Sequence, residues 1–513
     1  MFRKTVTNFS DLPSTGRRAF LKSLAAGASM SASPAVMSTL MSLHAASDVM
    51  ADAGDPSDYK ALVCVFLLGG NDSFNMLTPY GPANASNLGG EYADYVAARG
   101  GVAGESDGVA LPKSPDRTNP DVWRQGLWRI RDSDTSRYFG LHPGMKEIRN
   151  LFNQGNCACI ANVGSLVRPT TMNDFDNGVS LPLGLFSHSD LIRHWQTADP
   201  ATRSQKTGWG GRLGGEVKDQ NTSGTVAMNI SLGGVNIFQT GGGIVPYSVS
   251  TNGAEILDGL GSTDERDRLY AKFTNRMIAG LNVNSTSPRR YDDLFEKTFT
   301  QSQSRAKRAA ATFEQGLEDC PLDQETIDLF PPSRLGSQML MVAKSIAARS
   351  EYGHNRQIFF VGVGGWDHHD EVMNAQSTLL PEVSQAIHAF YQATVDLSVA
   401  DKVTTFTASD FGRTLSSNGN GTDHAWGGNH LVVGGSVAGG QVYGDYPTDL
   451  TNPTFDGGSI DTGRGRLIPT TAVDEYAREL VQWFGVPAGD LNKVLPNIGN
   501  FQGVGRPRIR FLG

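Results

Sequence analysis

Behind the apolar run at residues 403–407 the chain reads TASDFGRTLSSNGNGTDHAWGGNH, residues 407–430. Asp410, Arg413, Asp423, His424 and His430 stand close together in a glycine-rich stretch. Acids and imidazoles are costly to crowd unless something binds among them. Two more polar groups follow apolar runs: Asn71-Asp72 after ALVCVFLLGG, and Asp367-His368-His369 after FFVGVGGW. Taken singly, an aspartate after a strand is more often a helix cap or turn former, and a lone histidine a satisfied residue. Three apolar runs ending on carboxylate or imidazole predict instead one shared site on one rim. Such donors without a thiolate suit zinc or manganese, or a mixture with magnesium or calcium. Two ions about 4 Å apart would need bridging carboxylates and would suit phosphoryl or sulfuryl transfer.

The elements that must position these residues are legible as alternating strands and helices. ALVCVFLLGGND is a continuous run of β-prone residues, the pattern of a strand buried on both faces of a parallel sheet. LHPGMKEIRNLFNQGNCACIANVGS then predicts a helix with Met145, Ile148, Leu151 and Phe152 on one face, a stop at Gly155 and a second buried strand. This is a strand–helix–strand crossover with a long insertion near 81–140. Further on, LGSQMLMVAKSIAARS leads into the strand QIFFVGVGG, and PEVSQAIHAFYQATVDLSV leads into KVTTFTAS. LIPTTAVDEYARELVQWFGV supplies a closing helix. The alternation predicts an α/β domain over residues 60–513 with a mostly parallel central sheet covered on both faces. In such sheets ligands bind beyond the carboxyl ends of the strands. Residues 246–330, polar and helix-rich, read as a second insertion or cap.

The N-terminus carries a different signal. STGRRAFLKSLAAGASMSASPAVMSTLMSLHAAS pairs Arg17 with Arg18 ahead of a mildly apolar stretch and resembles a twin-arginine export signal. Residues 1–46 are expected to be the signal and 47–59 a linker, with the twin-arginine translocase as a transient partner and the periplasm or exterior as destination. Residues 1–46 hold five basic residues and one acid, so their removal takes the formal charge from −8 to −12. The mature chain has no basic stripe for nucleic acid. No run of about 20 apolar residues exists, so no stable membrane span is expected. Cys157 and Cys159 would share one side of a strand, and one of them is a candidate to pair with Cys320 in an oxidising compartment.

The blocks LLGGNDSFNMLTPY, GGWDHHDEV, ASDFGRT and GTDHAWGGNHLVVGGSVAGG occur in that order over most of the chain. In this the sequence resembles a bacterial family of twin-arginine-exported proteins of unknown function, related to the alkaline phosphatase/sulfatase superfamily. The resemblance implies an alkaline-phosphatase-like three-layer sandwich and a hydrolase of phosphate or sulfate esters, small or polymeric. It implies metal ligation by Asp72, Asp367, His369, Asp410 and His424, with Asp423 and His430 as ligands or as partners that orient them. It also implies a metal-activated hydroxyl nucleophile at a helix start. FSHSDLIRHWQTADP offers Ser187 or Ser189 for that role, His188 as a further ligand, and Arg193 as an anion clamp. Arg413, close behind Asp410, has the better claim to be the clamp. The cap reading of Ser187 stands beside the nucleophile reading. A serine esterase of the GDS type would need an early Gly-Asp-Ser and a late Asp-x-x-His, and neither is present. The rival from another class is an exported, metal-stabilised binding or assembly protein without turnover.

Overall fold

The computed structural model describes residues 58–81, 90–103, 107–113, 122–244, 246–254, 294–503 and 508–512, with single positions at 268 and 272. The export-signal stretch 1–46, most of the linker and parts of both insertions lie outside the described residues. A nine-stranded sheet is built on β1 (Lys60–Leu67), β2 (Cys157–Gly164), β3 (Asn229–Ser231), β4 (Arg356–Val363), β5 (Val403–Ser409) and β6 (Gly428–Gly434). Its order is 442–443, β2, β6, β5, β1, β4, β3 and 247–248, with 471–472 also pairing with β2. β1 runs parallel to both β4 and β5, while β6 runs antiparallel to β5 and β2. The mostly parallel sheet predicted from the alternation is therefore present.

β1 shows why these runs are strands. All of its residues after Lys60 are buried, and the side chains alternate between two cores. Ala61, Val63, Val65 and Leu67 face one core, which helices α1 (Lys146–Asn153), α4 (Arg334–Ala347) and α5 (Val372–Asp396) close with Ile148, Met339 and Phe390. Leu62, Cys64 and Phe66 face the other, closed by α2 (His188–Thr197), α3 (Trp209–Val217) and α6 (Val473–Phe484) with Trp195, Leu213 and Leu480. A strand with both faces covered cannot alternate apolar with polar residues.

The structure refines or departs from the sequence reading in four places. β1 and β2 run parallel in one sheet as the two ends of the crossover, but β5 and β6 lie between them. The helix read from Pro381 onward starts at Val372, so Pro381 lies inside it. The earlier turns are held by tertiary contact: Gln376 donates to the Asp72 carbonyl at 2.8 Å and to Asn71 Oδ1 at 3.3 Å. All four cysteines are free thiols; Cys157 and Cys159 face the first core and Cys320 is half-buried. Finally, the first insertion is structured where described. It holds a helix at Glu91–Ala98 and two strands that join Leu77–Pro79 in a small sheet.

That insertion reaches the strand rim through a buried ion pair. Arg99, just past the helix, donates to Asp72 Oδ2 at 2.6 Å, and both side chains are fully buried. Arg99 also donates to the carbonyls of Thr414 and Leu415. Removing one partner of such a pair strands a buried charge, which typically costs about 3–5 kcal/mol. Arg99→Met is therefore expected to lower unfolding free energy by about that amount, and the Asp72→Asn/Arg99→Met double variant by clearly less. Equal losses in denaturant titrations of the two variants would contradict this account.

Candidate metal centre

Three imidazoles converge on Asp367. This residue follows β4 and its side chain is 48% exposed. His369 Nε2 lies 3.1 Å and His424 Nε2 3.3 Å from Asp367 Oδ1, while His188 Nε2 lies 3.4 Å from Oδ2. Each ring is tethered through its other nitrogen. His188 Nδ1 lies 2.7 Å from Asp410 Oδ2, His424 Nδ1 2.9 Å from the Phe186 carbonyl, and His369 Nδ1 3.1 Å from Asp423 Oδ1. A carbonyl only accepts, and so does an ionised carboxylate, so Nδ1–H donates. In the neutral form of each ring Nε2 is then a lone pair aimed at the cluster, the arrangement of metal-ligating histidines.

Two further observations fit a cation there. His188 Nε2 is buried and makes no hydrogen bond. His369 Nε2 and His424 Nε2 stand 2.9 Å apart. With both Nδ1 atoms donating, two lone pairs would face each other unless a proton or a cation sits between them. Ligand atoms of His188, Asp367 and His424 all lie within 4.8 Å of one another. Two imidazoles and a carboxylate are a donor set for zinc, manganese or iron, with further coordination positions left over.

The local chain explains the placement. Gly69 and Gly70, with φ of +122° and +87°, end the first strand run, and a Cβ on Gly69 would collide with the Asp367 backbone nitrogen at 2.5 Å. On Gly70 it would meet the Phe411 ring at 2.4 Å. Phe411 is the platform beneath two ligands, its centroid 4.8 Å from that of His188 and 4.6 Å from that of His424. His188 opens α2, and Phe186 just before it holds a left-handed φ of +71°, which turns its carbonyl to His424. Strained non-glycine backbone of this kind is characteristic of functional sites.

Electrostatics separate the carboxylates. Partial burial works against the charge of Asp367, but the Arg413 hydrogen bond at 2.7 Å and the neighbouring imidazoles outweigh it and lower the pKa. Burial also opposes the charge of Asp423, yet Asn418, His369 and Arg464 bring it down to about 2. Asp410 is raised by burial, which its bonds from His188 and the Gly69 N–H only partly offset. Burial lowers His424, favouring the neutral imidazole.

The residues singled out in the sequence thus divide. Asp367, His369 and His424 meet, and His188 meets them. Asp410 and Asp423 stand behind His188 and His369 as hydrogen-bond acceptors. Arg413 is fully buried and occupied by Asp367 Oδ1, the Gly69 carbonyl and both Thr422 oxygens, so it holds Asp367 and has no free fork for an anion. Arg193 donates to the Gln205 carbonyl. Asp72 Oδ2 is taken by Arg99 and Thr422 Oγ1, while its buried Oδ1 makes no hydrogen bond among the described residues. His430 lies within β6 on the face opposite Leu431. It is buried between Trp195 and Tyr476, and desolvation takes its pKa down to about 3. It belongs to the second core and not to the centre, because strand periodicity turns it inward beside Val432. Ser187 is the N-cap residue of α2 but its side chain makes no cap bond; its Oγ lies 3.1 Å from Ser189 Oγ.

Residues not anticipated are Phe186, Phe411, Arg464 and Arg466. Arg464 pairs with Asp423, and Arg466 donates to the His424 carbonyl at 2.9 Å. Their stretch DTGRGR has arginines but no spacing that ties it to the other blocks.

Because the approach at Gly70 is so close, Gly70→Ala is expected to push the Phe411 ring off both imidazoles and to lower stability by about 1–3 kcal/mol. Thermal or urea unfolding checks this. Wild-type stability would mean that Phe411 yields without cost.

No curated protein matches the chain. A solved structure described as "Crystal structure of Ps i-CgsB in complex with k-i-k-neocarrahexaose" is similar over 86% of this chain and 77% of that one, at 8% identity and a TM-score of 0.32. At that score the likeness adds nothing to what the sheet order already says. The family described as "Protein of unknown function (DUF1501)" matches residues 59–460, which takes in the whole rim and every residue of the centre up to His424, and the chain belongs to that family.

Proposed function

We propose that the protein is an exported metal-dependent hydrolase of phosphate or sulfate esters. The observation that carries this reading is the convergence of three Nδ1-tethered imidazoles on Asp367. His188, Asp367 and His424 would hold the ion, zinc first and manganese as the alternative, since two imidazoles suit the oxygen-seeking magnesium and calcium poorly. When bound, the ion would supply Lewis acidity for the ester oxygen and lower the pKa of a hydroxyl beside it. Asp410 fixes the His188 ring, and Arg413 fixes and keeps ionised the carboxylate of Asp367. Ser187 or Ser189, at the helix start that carries His188, is the proposed nucleophile. The kinship with the alkaline phosphatase/sulfatase superfamily, and the sandwich architecture that goes with it, belong to this reading. They are supported by the order of the four sequence blocks and by the rim position of Asp367, Asp410 and His424.

The second reading, a metal-stabilised binding protein without turnover, is favoured by one distance. His369 Nε2 is 2.9 Å from His424 Nε2, near enough for His369 to act as a fourth ligand and close the shell.

The test begins with metal analysis of the purified protein, expected to return about one divalent ion per chain, with His188→Ala and His424→Ala each losing it. Ser187→Ala should keep the ion and lose hydrolysis of aryl phosphates and sulfates. Metal retained in both histidine variants would remove the centre. Metal lost from both, with no hydrolysis by the wild type, would favour the binding protein.

Export is proposed to use the twin-arginine route. Replacing Arg17 and Arg18 together by Lys should leave the precursor in the cytoplasm, as cell fractionation would show; normal export would exclude that route.

A further inference from the structure

The loop at residues 461–466, DTGRGR, touches the metal centre twice without contributing a ligand. Arg464 Nη1 binds Asp423 Oδ2, and the other oxygen of that carboxylate accepts from His369 Nδ1. Arg466 Nε donates to the backbone carbonyl of His424, and its guanidinium lies 5.2 Å above the Phe186 ring. Phe186 is the residue whose carbonyl accepts from His424 Nδ1. The two arginines therefore each stand behind the tether of a different imidazole.

The loop is built to hold that position. Asp461 Oδ1 accepts from the backbone N–H groups of Gly463 and Gly465, both at 2.8 Å, closing a tight turn. Arg464 has a φ of +63°, a left-handed conformation that costs a non-glycine residue and is kept only where its surroundings over-determine it. Its carbonyl takes hydrogen bonds from both the N–H and the hydroxyl of Ser416, and the Gly465 carbonyl takes one from the Leu415 N–H. Past the loop, the Leu467 carbonyl accepts from the Gly427 N–H. The loop is thus tied to the 410–430 stretch on both sides of Asp423 and His424.

We infer that residues 461–466 form a positioning clamp for the metal centre, in which Arg464, through Asp423, and Arg466, through Phe186 and the His424 backbone, fix the orientation and tautomer of His369 and His424. Groups that orient metal-bound histidines typically change metal affinity by about 10–100-fold when removed. An arginine left to hold only the surface would change none. This inference rests on the metal reading above, and its test separates the two.

The test uses the full-length mature protein, stripped of metal and titrated with cobalt(II), whose visible absorption reports ligand geometry. Wild type should bind with a defined spectrum. Arg466→Met, which acts on the ligand His424, should weaken binding about 10–100-fold and alter the absorption bands. Arg464→Met, which frees His369 beside the ion, should alter the bands with a smaller loss of affinity, and Arg464→Lys, which keeps the charge opposite Asp423, should restore them. Arg466→Lys, which cannot place a planar N–H on the His424 carbonyl while covering Phe186, should recover only part of the affinity. Arg466→Lys carries the test if the Met variants do not fold. No cobalt binding by wild type would overturn the metal reading itself. Wild-type binding with unchanged affinity and spectrum in the variants would overturn the clamp alone, even if their melting temperatures fell.

Discussion

Asp367 can sit half-exposed among three imidazoles only because its charge is fixed from below. Arg413 is buried and spends its donors on Asp367, on the Gly69 carbonyl and on Thr422. A buried guanidinium without a carboxylate would be expensive, and so would a carboxylate facing three lone pairs without a cation. The ion pair therefore fixes where the carboxylate stands, and the imidazoles take their positions around it. Their Nδ1 atoms are all committed to acceptors outside the cluster, so what the neutral rings offer inward is electron density. Density from three rings aimed at one anion is repulsive on its own. A site arranged this way is stable when positive charge, as protons or as a metal ion, completes it.

The sheet delivers that geometry by a simple constraint. The parallel strands β1, β4 and β5 end on one rim, and their next residues, Gly69-Gly70, Asp367 and Asp410, come together there. His424 arrives from the opposite chain direction because β6 is antiparallel, so the loop between β5 and β6 turns back over the rim before pairing. The small residues at 69 and 70 let the Trp366–Asp367 backbone and the Phe411 ring close in. A side chain at either position would open the floor of the site. Packing precision in the sheet and ligand precision at the rim are in this sense one property.

Much of this was legible in the sequence because it depends on local pattern. β1, β2, β4 and β5 read as unbroken apolar runs, and the polar residues that follow three of them mark the rim. What failed was long-range. The runs give no order, so β5 and β6 could not be placed between β1 and β2. Gln376 bonded to Asp72 extends α5 ahead of Pro381, a contact no periodicity reports. His430 looks like a loop ligand beside His424, but two glycines later the chain has become a strand and its side chain turns into the core. Arg413 sits behind a strand-end acid as an anion clamp would, yet it is buried and fully partnered. Asp72 reads as a ligand of the same site, but Arg99, supplied by an insertion of no evident motif, pairs with its Oδ2, and it does not join the imidazole cluster. In each case residue type was informative, and the partner that decided its role lay far away in the chain.

His369 is where the two functional readings part. If its Nε2 joins His188, Asp367 and His424 on an ion, a tetrahedral shell is complete and no position is left for a substrate oxygen. If it stays outside, three protein ligands leave the coordination open, as a hydrolytic centre requires. Its tether is the weakest placed of the three. Asp410 behind His188 is buried and the Phe186 carbonyl belongs to a strained, braced backbone, whereas Asp423 is reached by Asn418 and by the half-exposed Arg464. The side chain of His369 is also the most exposed of the three imidazoles, 48% against 32% for His188 and 24% for His424. A ring so placed moves more cheaply than its neighbours. The chain thus holds two imidazoles and a carboxylate more firmly than the third imidazole, and that asymmetry favours the open shell over the closed one.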